Sequence, residues 1–289
     1  MQYDLMIGSI GFRIDSPREI PVEPSLAPFF RTFQRPDVTV DVIWDYGRAP
    51  IPSVPMTGID VLTEYYREPD ALLCLARGGW KGSLATCQGT LDFRQLTCYI
   101  NVDNFQTPIN GMGDFLRILP MRAILQHFSV IFFHASQIAI GERGILFTAP
   151  SGTGKTTQAK LWQRHRNARI ICNDRTLVRA ESTYGYPMDG SEPVRSGEVH
   201  RLGAIVTLGQ NSTNTIQRLK PGVAIARLLP QLVIDAWDES AKKLAMEQLL
   251  DLVGRVPVYR LECTPDISAV RCLEAALIAD GVISNDFRT

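Results

Sequence analysis

The chain has 289 residues, 30 Lys+Arg against 30 Asp+Glu, and a formal net charge of zero, with 45% hydrophobic and 21% charged residues. This is an ordinary globular composition, with enough apolar content for one large domain or two modest ones, and it excludes a wholly disordered chain. The zero net charge argues against nucleic-acid binding through a bulk positive field.

No run of about 18 apolar residues exists, so no membrane-spanning helix and no membrane partner are expected. The opening MQYDLMIGSI carries Asp4 and no basic stretch, so it does not read as a secretory signal. The six cysteines (74, 87, 98, 172, 263 and 272) are scattered, without C-x-x-C or zinc-ligand spacing. Free, buried thiols in a cytoplasmic protein are the reading that follows.

In chain order, Tyr3, Leu5 and Ile7 alternate, as do Ile10, Phe12 and Ile14, and then Val38, Val40, Val42 and Trp44. Period-two alternation predicts strands. Pro50, Pro52 and Pro55 predict a loop, and further strands fit at 70–76, 82–88 and 95–102. Residues 114–129 have helical spacing, with a kink or turn at Pro120. Strands then alternate with helices: strand 137–140, turn, strand 144–149, glycine loop, helix 155–165 and strand 169–172. Further on come strand 203–208, helices 223–232 and 238–253, strand 256–262 and helix 266–280. The division expected is a β-rich N-terminal domain, 1–110, followed by an α/β domain, 111–289.

Residues 145–160, ILFTAPSGTGKTTQAK, carry the chemistry. An apolar strand runs into a glycine loop and on into a helix, the context that a phosphate-binding loop G-x-x-x-x-G-K-[ST] requires. Ala149 stands at the first glycine position, and the rest of the signature is intact. Gly152 and Gly154 permit backbone shapes that let successive N–H groups converge on one anion, at the positive end of the following helix. The nucleotide-binding set expected is Ser151, Gly152, Thr153, Gly154, Lys155, Thr156 and Thr157. Lys155 can reach β- and γ-phosphates, and the Thr156 hydroxyl can ligate Mg²⁺. Phosphoryl transfer also needs a carboxylate, and Asp174 follows the next apolar strand at the rim where ligands gather in open α/β sheets. It could hold the metal or take the acceptor's proton. His134 sits among Phe132, Phe133 and Ile138, where a lone histidine is more often a core residue; His127, His165 and His200 have no better claim. Residues 184–203 read as a long polar loop, in which Ser191, Glu192 and Arg195 could meet the substrate.

On these residues the sequence resembles the HPr kinase-like branch of the phosphoenolpyruvate-carboxykinase-type P-loop proteins. The resemblance rests on FHAS (133–136), APSGTGKTTQAKLW (149–162), ICNDRTLV (171–178) and VYRLECTPDISAVRCL (258–273), which together span residues 130–280. It implies an α/β, mixed-sheet P-loop kinase domain with a β-rich N-terminal region, in which ATP and Mg²⁺ phosphorylate a hydroxyl. The family's loop lysine matches Lys155, its metal-binding hydroxyl matches Thr156, and its upstream histidine matches His134. The family's acidic pair falls on Asn173 and Asp174, so one acid remains and the phosphorylase half of an HPr kinase/phosphorylase is not carried over. The C-terminal helices that grip HPr are not recognisable, so HPr is not carried over as substrate either. Relatives of this size include kinases of lasso-peptide precursors, acting on a terminal serine, and kinases of small hydroxyl compounds.

The leading reading is an ATP- and Mg²⁺-dependent kinase with catalytic Asp174, His134 and Lys155. The metal is assigned to Thr156 and Asp174, and the acceptor is a hydroxyl on a peptide or small molecule. A nucleotide-responsive binding module without turnover, an HPr-type protein kinase and a homo-oligomer stay open. A carboxykinase acting on an oxoacid would need further metal ligands and a carboxylate-binding arginine, for which the sequence offers no convincing set.

Overall fold

A computed structural model describes residues 1–59, 63–77, 83–102, 109–188 and 196–284. The chain is mixed α/β with two mixed sheets. It divides into two compact units, Met1–Phe128 with Asp235–Lys242, and Ser129–Ile234 with Lys243–Thr289. The sequence pattern had put the change near residue 110.

The first unit is built on β1 (Gln2–Ile7), β2 (Ile10–Asp15), β3 (Val38–Ile43), β4 (Gly58–Ile59), β5 (Thr63–Arg67), β6 (Ala71–Arg77), β7 (Ser83–Thr90) and β8 (Gln95–Ile100). Their order in the sheet is β1-β2-β3-β8-β7-β6-β5-β4. Gly8 and Ser9 both take positive φ, 60° and 65°, the shape a two-residue hairpin needs between twisted strands. The alternation read from the sequence is the buried face: Leu5, Ile7, Ile10, Phe12, Ile14, Val38, Val40 and Val42 are all buried. Where one helix was expected at 114–129 there are two, α1 (Met112–Ile118) and α2 (Met121–His127). Pro120, at φ −74° and ψ 58°, separates them, because its ring removes a donor and its ψ leaves helical space. The returning segment Asp235–Lys242 belongs to this unit. Its Trp237 ring stacks on Tyr65 at 4.7 Å between centroids, and Asp238 pairs with Arg67 at 2.6 Å. A Cβ on Gly58 would fall 2.0 Å from the Trp237 ring, so this position excludes any side chain.

The second unit contains β9 (Ile131–Ile140), β10 (Arg143–Thr148), α3 (Lys155–Arg166), β11 (Arg169–Cys172), β12 (Arg175–Arg179), β13 (Ser182–Gly185), β14 (Val199–Gln210), β15 (Thr215–Arg218), α4 (Pro221–Leu228), α5 (Glu239–Arg255), β16 (Val258–Cys263) and α6 (Ile267–Ala279). The first turn of α5 is counted with the first unit. The strand pairings close a ring, β10–β9–β12–β13–β14 and back to β10. β11 shares the β12 edge of β9, and β16 with β15 extends the sheet from β14. β10, β14 and β16 are mutually parallel, so their carboxyl ends share one rim. Adjacent residues of β10 serve opposite faces. Ile145 and Phe147 pack with Trp162 of α3 and Leu273 and Leu277 of α6, whereas Leu146 packs with Leu228 of α4 and Leu249 and Leu252 of α5. Burial on both faces explains why β10 reads as an unbroken apolar run.

Several sequence expectations change here. The strand expected at 137–140 is the far end of β9, and the one expected at 203–208 is the middle of β14. The hairpin β12–β13 and the edge strand β15 were not foreseen. The polar loop expected at 184–203 is shorter, because Tyr184 pairs with Val199 at the junction of β13 and β14. Tyr186 and Met188 just beyond that pair are buried.

Candidate functional site

The loop between β10 and α3 takes the shape its glycines allow. Gly152 has φ +78° and Gly154 has φ +107°, a region that L side chains rarely adopt. Ala149 is not among the residues with positive φ, so alanine in place of the first glycine of the motif introduces no strain. Thr153 holds the turn by donating through Oγ1 (2.9 Å) and N–H (3.3 Å) to the Pro150 carbonyl. Gly154 caps α3 without a side-chain oxygen, so no side chain accepts from the amides of the first turn at the cap. No acidic side chain lies in that turn, while Arg164, His165 and Arg166 occupy the last turn, which leaves the amino end of α3 electropositive.

Lys155 is 7% exposed, and its Nζ donates to the carbonyls of Ala149 (2.8 Å) and Pro150 (3.3 Å). Burial lowers its pKa from the ordinary lysine value, and the charge of Asp174 acts in the opposite sense. Ser151, Gly152 and Thr157 are exposed, and Thr153 and Thr156 are half-buried. The loop therefore presents amides and hydroxyls outward, with one ammonium folded against its base.

Asp174 and His134 meet across the sheet. The β9–β12 register sets Arg175 opposite His134, which brings His134 Nδ1 within 3.1 Å of Asp174 Oδ1. Backbone contacts fix both: Ala135 N–H donates to the Asp174 carbonyl at 3.0 Å, and Thr148 Oγ1 donates to the His134 carbonyl at 2.9 Å. Ser136 Oγ donates to the Asn173 carbonyl at 2.6 Å. The hydrogen bond from His134 holds the Asp174 carboxyl below the usual aspartate range, against the opposing effect of burial, and Arg175 and Lys155 lower it further. Asp174 is therefore an anion at neutral pH. His134 and Asp174 are each about one-third exposed, at 32% and 34%, so both remain open to a ligand.

No protein-family model matches this chain, and no curated protein matches it.

Of the residues singled out from the sequence, Lys155 and His134 thus both act on Asp174, His134 by a hydrogen bond and Lys155 through its charge. Thr156 and Thr157 follow Lys155 on the first turn of α3. Ser191, Glu192 and Arg195 lie outside the described residues. Three neighbours were missed. Arg175 Nε lies 3.6 Å from Asp174 Oδ2. Gln210, at the carboxyl end of β14, donates to the Gly152 carbonyl at 3.3 Å. Thr148 braces His134 from the last position of β10. The rule that sites collect at the carboxyl ends of parallel strands would have pointed to Gln210 and Thr148. Among the described residues, no group of three or more His, Cys, Asp or Glu is arranged to hold a metal ion. A divalent cation here would rest on the single hydroxyl of Thr156, the carboxylate of Asp174 and the oxygens of a bound phosphate, the sparse protein set that suits Mg²⁺. The Asp174 carboxylate suits a cation, whereas the electropositive loop suits the phosphate that would accompany it. No helix of the described residues is long and apolar enough to cross a membrane.

Proposed function

We propose that this protein is a cytoplasmic, ATP- and Mg²⁺-dependent kinase of the HPr kinase-like type, phosphorylating a hydroxyl on a peptide or a small molecule. The observation that carries the reading is the meeting of two features. A strand–loop–helix glycine loop with a buried lysine lies within electrostatic reach of a carboxylate, and that carboxylate is oriented by a histidine. The loop amides and Lys155 would neutralise the phosphates of the nucleotide. Thr156 and Asp174 would hold Mg²⁺, which would supply charge neutralisation to the transferring phosphate. The acceptor hydroxyl would attack the γ-phosphorus as the bond to the ADP oxygen breaks. Its proton would pass to the Asp174–His134 pair. With little covalent chemistry for the protein to perform, positioning and charge account for most of the rate.

The test is transfer of labelled γ-phosphoryl from ATP to hydroxyl acceptors, including serine-terminated peptides, with Asp174→Asn as the companion. Transfer that falls roughly 10²-fold or more in a well-folded variant supports the assignment. Near wild-type transfer by that variant refutes it. A second reading, a nucleotide-responsive module without turnover, is favoured by the amide Asn173 standing where the family carries an acid. ATP binding with neither hydrolysis nor transfer to any acceptor would select it.

A further inference from the structure

A feature of the first unit lies apart from this chemistry. Cys74 on β6, Cys87 on β7 and Cys98 on β8 stand directly opposite one another across three adjacent antiparallel strands. All three are buried, at 1%, 1% and 0% exposed. Cys87 Sγ and Cys98 Sγ are 2.7 Å apart, and Cys87 Sγ also approaches the Ile118 carbonyl at 3.4 Å. The other buried thiols have different neighbours: Cys172 meets the Thr176 hydroxyl at 2.9 Å, and Cys263 meets the Gln158 amide at 3.3 Å. A disulfide has an S–S length of about 2.0 Å and spans the Cα separations found between opposed residues of antiparallel strands. Closing the bond from the present separation needs sulfur movement but no change of strand register.

We propose that Cys87 and Cys98 form a reversible cross-strand disulfide when the protein meets a hydroperoxide, with Cys74 as the third thiol that can exchange into it. In the first step, Cys98 Sγ loses its proton and attacks one oxygen of hydrogen peroxide. An S–O bond forms, the O–O bond breaks, and the released hydroxide leaves as water with that proton. In the second step, Cys87 Sγ attacks the sulfenic sulfur, the S–S bond forms, and the sulfenic oxygen leaves as a second water carrying the Cys87 proton. Two thiols lose two electrons, and the peroxide is reduced to two waters. A small dithiol reverses the bond. Burial raises the Cys98 thiol well above its ordinary range, which keeps the thiolate scarce and makes the first step slow. Cys272, more exposed, is the internal comparison for an accessible thiol. Cys87 stands between the other two, so only one bond can exist at a time.

The experiment uses the full chain. The protein is treated with hydrogen peroxide, unfolded and blocked with iodoacetamide, then digested with trypsin and mapped by mass spectrometry. Cleavage at Arg67, Arg77, Lys81, Arg94 and Arg117 places Cys74, Cys87 and Cys98 on the separate peptides 68–77, 82–94 and 95–117. Wild type should give 82–94 linked to 95–117, lost on reduction, together with a raised unfolding midpoint before reduction. Cys98→Ser should shift the link to 68–77 with 82–94, and Cys87→Ser should give no link among the three. The proposal is overturned if oxidised wild type shows Cys87 and Cys98 fully alkylated while Cys272 is oxidised, or if a link among these peptides survives Cys87→Ser. The wild-type map decides the matter even where a serine variant folds poorly.

Discussion

Replacing Lys155 by alanine separates its binding role from its structural one. In the free protein its Nζ donates to two loop carbonyls, at 2.8 and 3.3 Å. Their loss costs about 1.5–3 kcal/mol each, the net value of a hydrogen bond from a charged donor. Against this, the variant no longer holds an ammonium out of water, an opposing term shown by the lowered Lys155 pKa. The two effects offset, and the unfolding free energy should change by no more than about 1–2 kcal/mol. Nucleotide binding has no such compensation. One charge-assisted contact to phosphate is worth about 1.5–3 kcal/mol, and 1.4 kcal/mol is tenfold, so the affinity for Mg-ATP should fall roughly 10- to 150-fold. Titration calorimetry measures the affinity, and urea denaturation measures the stability. Lys160→Ala is the control: it removes the same charge from an exposed position on the same helix. Equal affinity in wild type and Lys155→Ala, or an equal loss in Lys160→Ala, would refute the reasoning, since the proposed function puts only the loop lysine at the phosphates.

Other outcomes follow from the same geometry. Ala149→Gly should leave Mg-ATP affinity within twofold and lower stability by about 0.5–1 kcal/mol, because this position needs no positive φ and glycine only adds freedom to the unfolded chain; a tenfold gain in affinity by calorimetry would count against it. Trp162→Ala should lower stability by about 3–5 kcal/mol in chemical denaturation, because Trp162 is 1% exposed at the centre of the core beneath α3. The pKa of Asp174 is lowered in the folded state, chiefly by its hydrogen bond from His134, so its ionisation stabilises the protein above the unfolded value and that contribution disappears as pH falls through the folded value. The stability difference between wild type and Asp174→Asn should therefore be constant near neutrality and shrink below about pH 4 in parallel denaturation curves; a difference that grows on acidification would contradict the assigned sign.

The glycine loop between β10 and α3 was legible because all its determinants are local: an apolar strand, two glycines, a lysine and a helix lie within one short stretch. Asp174 was reachable by the rule for strand ends. The partnership with His134 was not, because it depends on the register of β9 against β12, which no spacing in the chain reveals. The β12–β13 hairpin escaped notice for a chemical reason: its turn places Ala180 at φ 51°, where a glycine or asparagine would have announced it. β15 is only four residues long at a sheet edge, with too little alternation to read. The two-helix break at Pro120 was visible as a kink but not as a full separation. The thiol row across β6, β7 and β8 shows in the sequence only as three distant cysteines, since strand order alone brings them side by side.

The returning segment Asp235–Lys242 has a consequence for the order in which the molecule can be made. β1 to β8, α1 and α2 leave the ribosome first, yet the ring of Trp237 that covers Gly58 and stacks on Tyr65 does not yet exist. All of Ser129–Ile234 must be translated before it. At 5–20 residues per second that stretch takes roughly 5–20 s, far longer than a hairpin needs to form. Throughout that interval Gly58 and Tyr65 wait without the Trp237 ring and Arg67 without Asp238. The first-made unit therefore stays unfinished until most of the second has been translated, and a chain stopped after Phe128 would lack the ring that stacks on Tyr65.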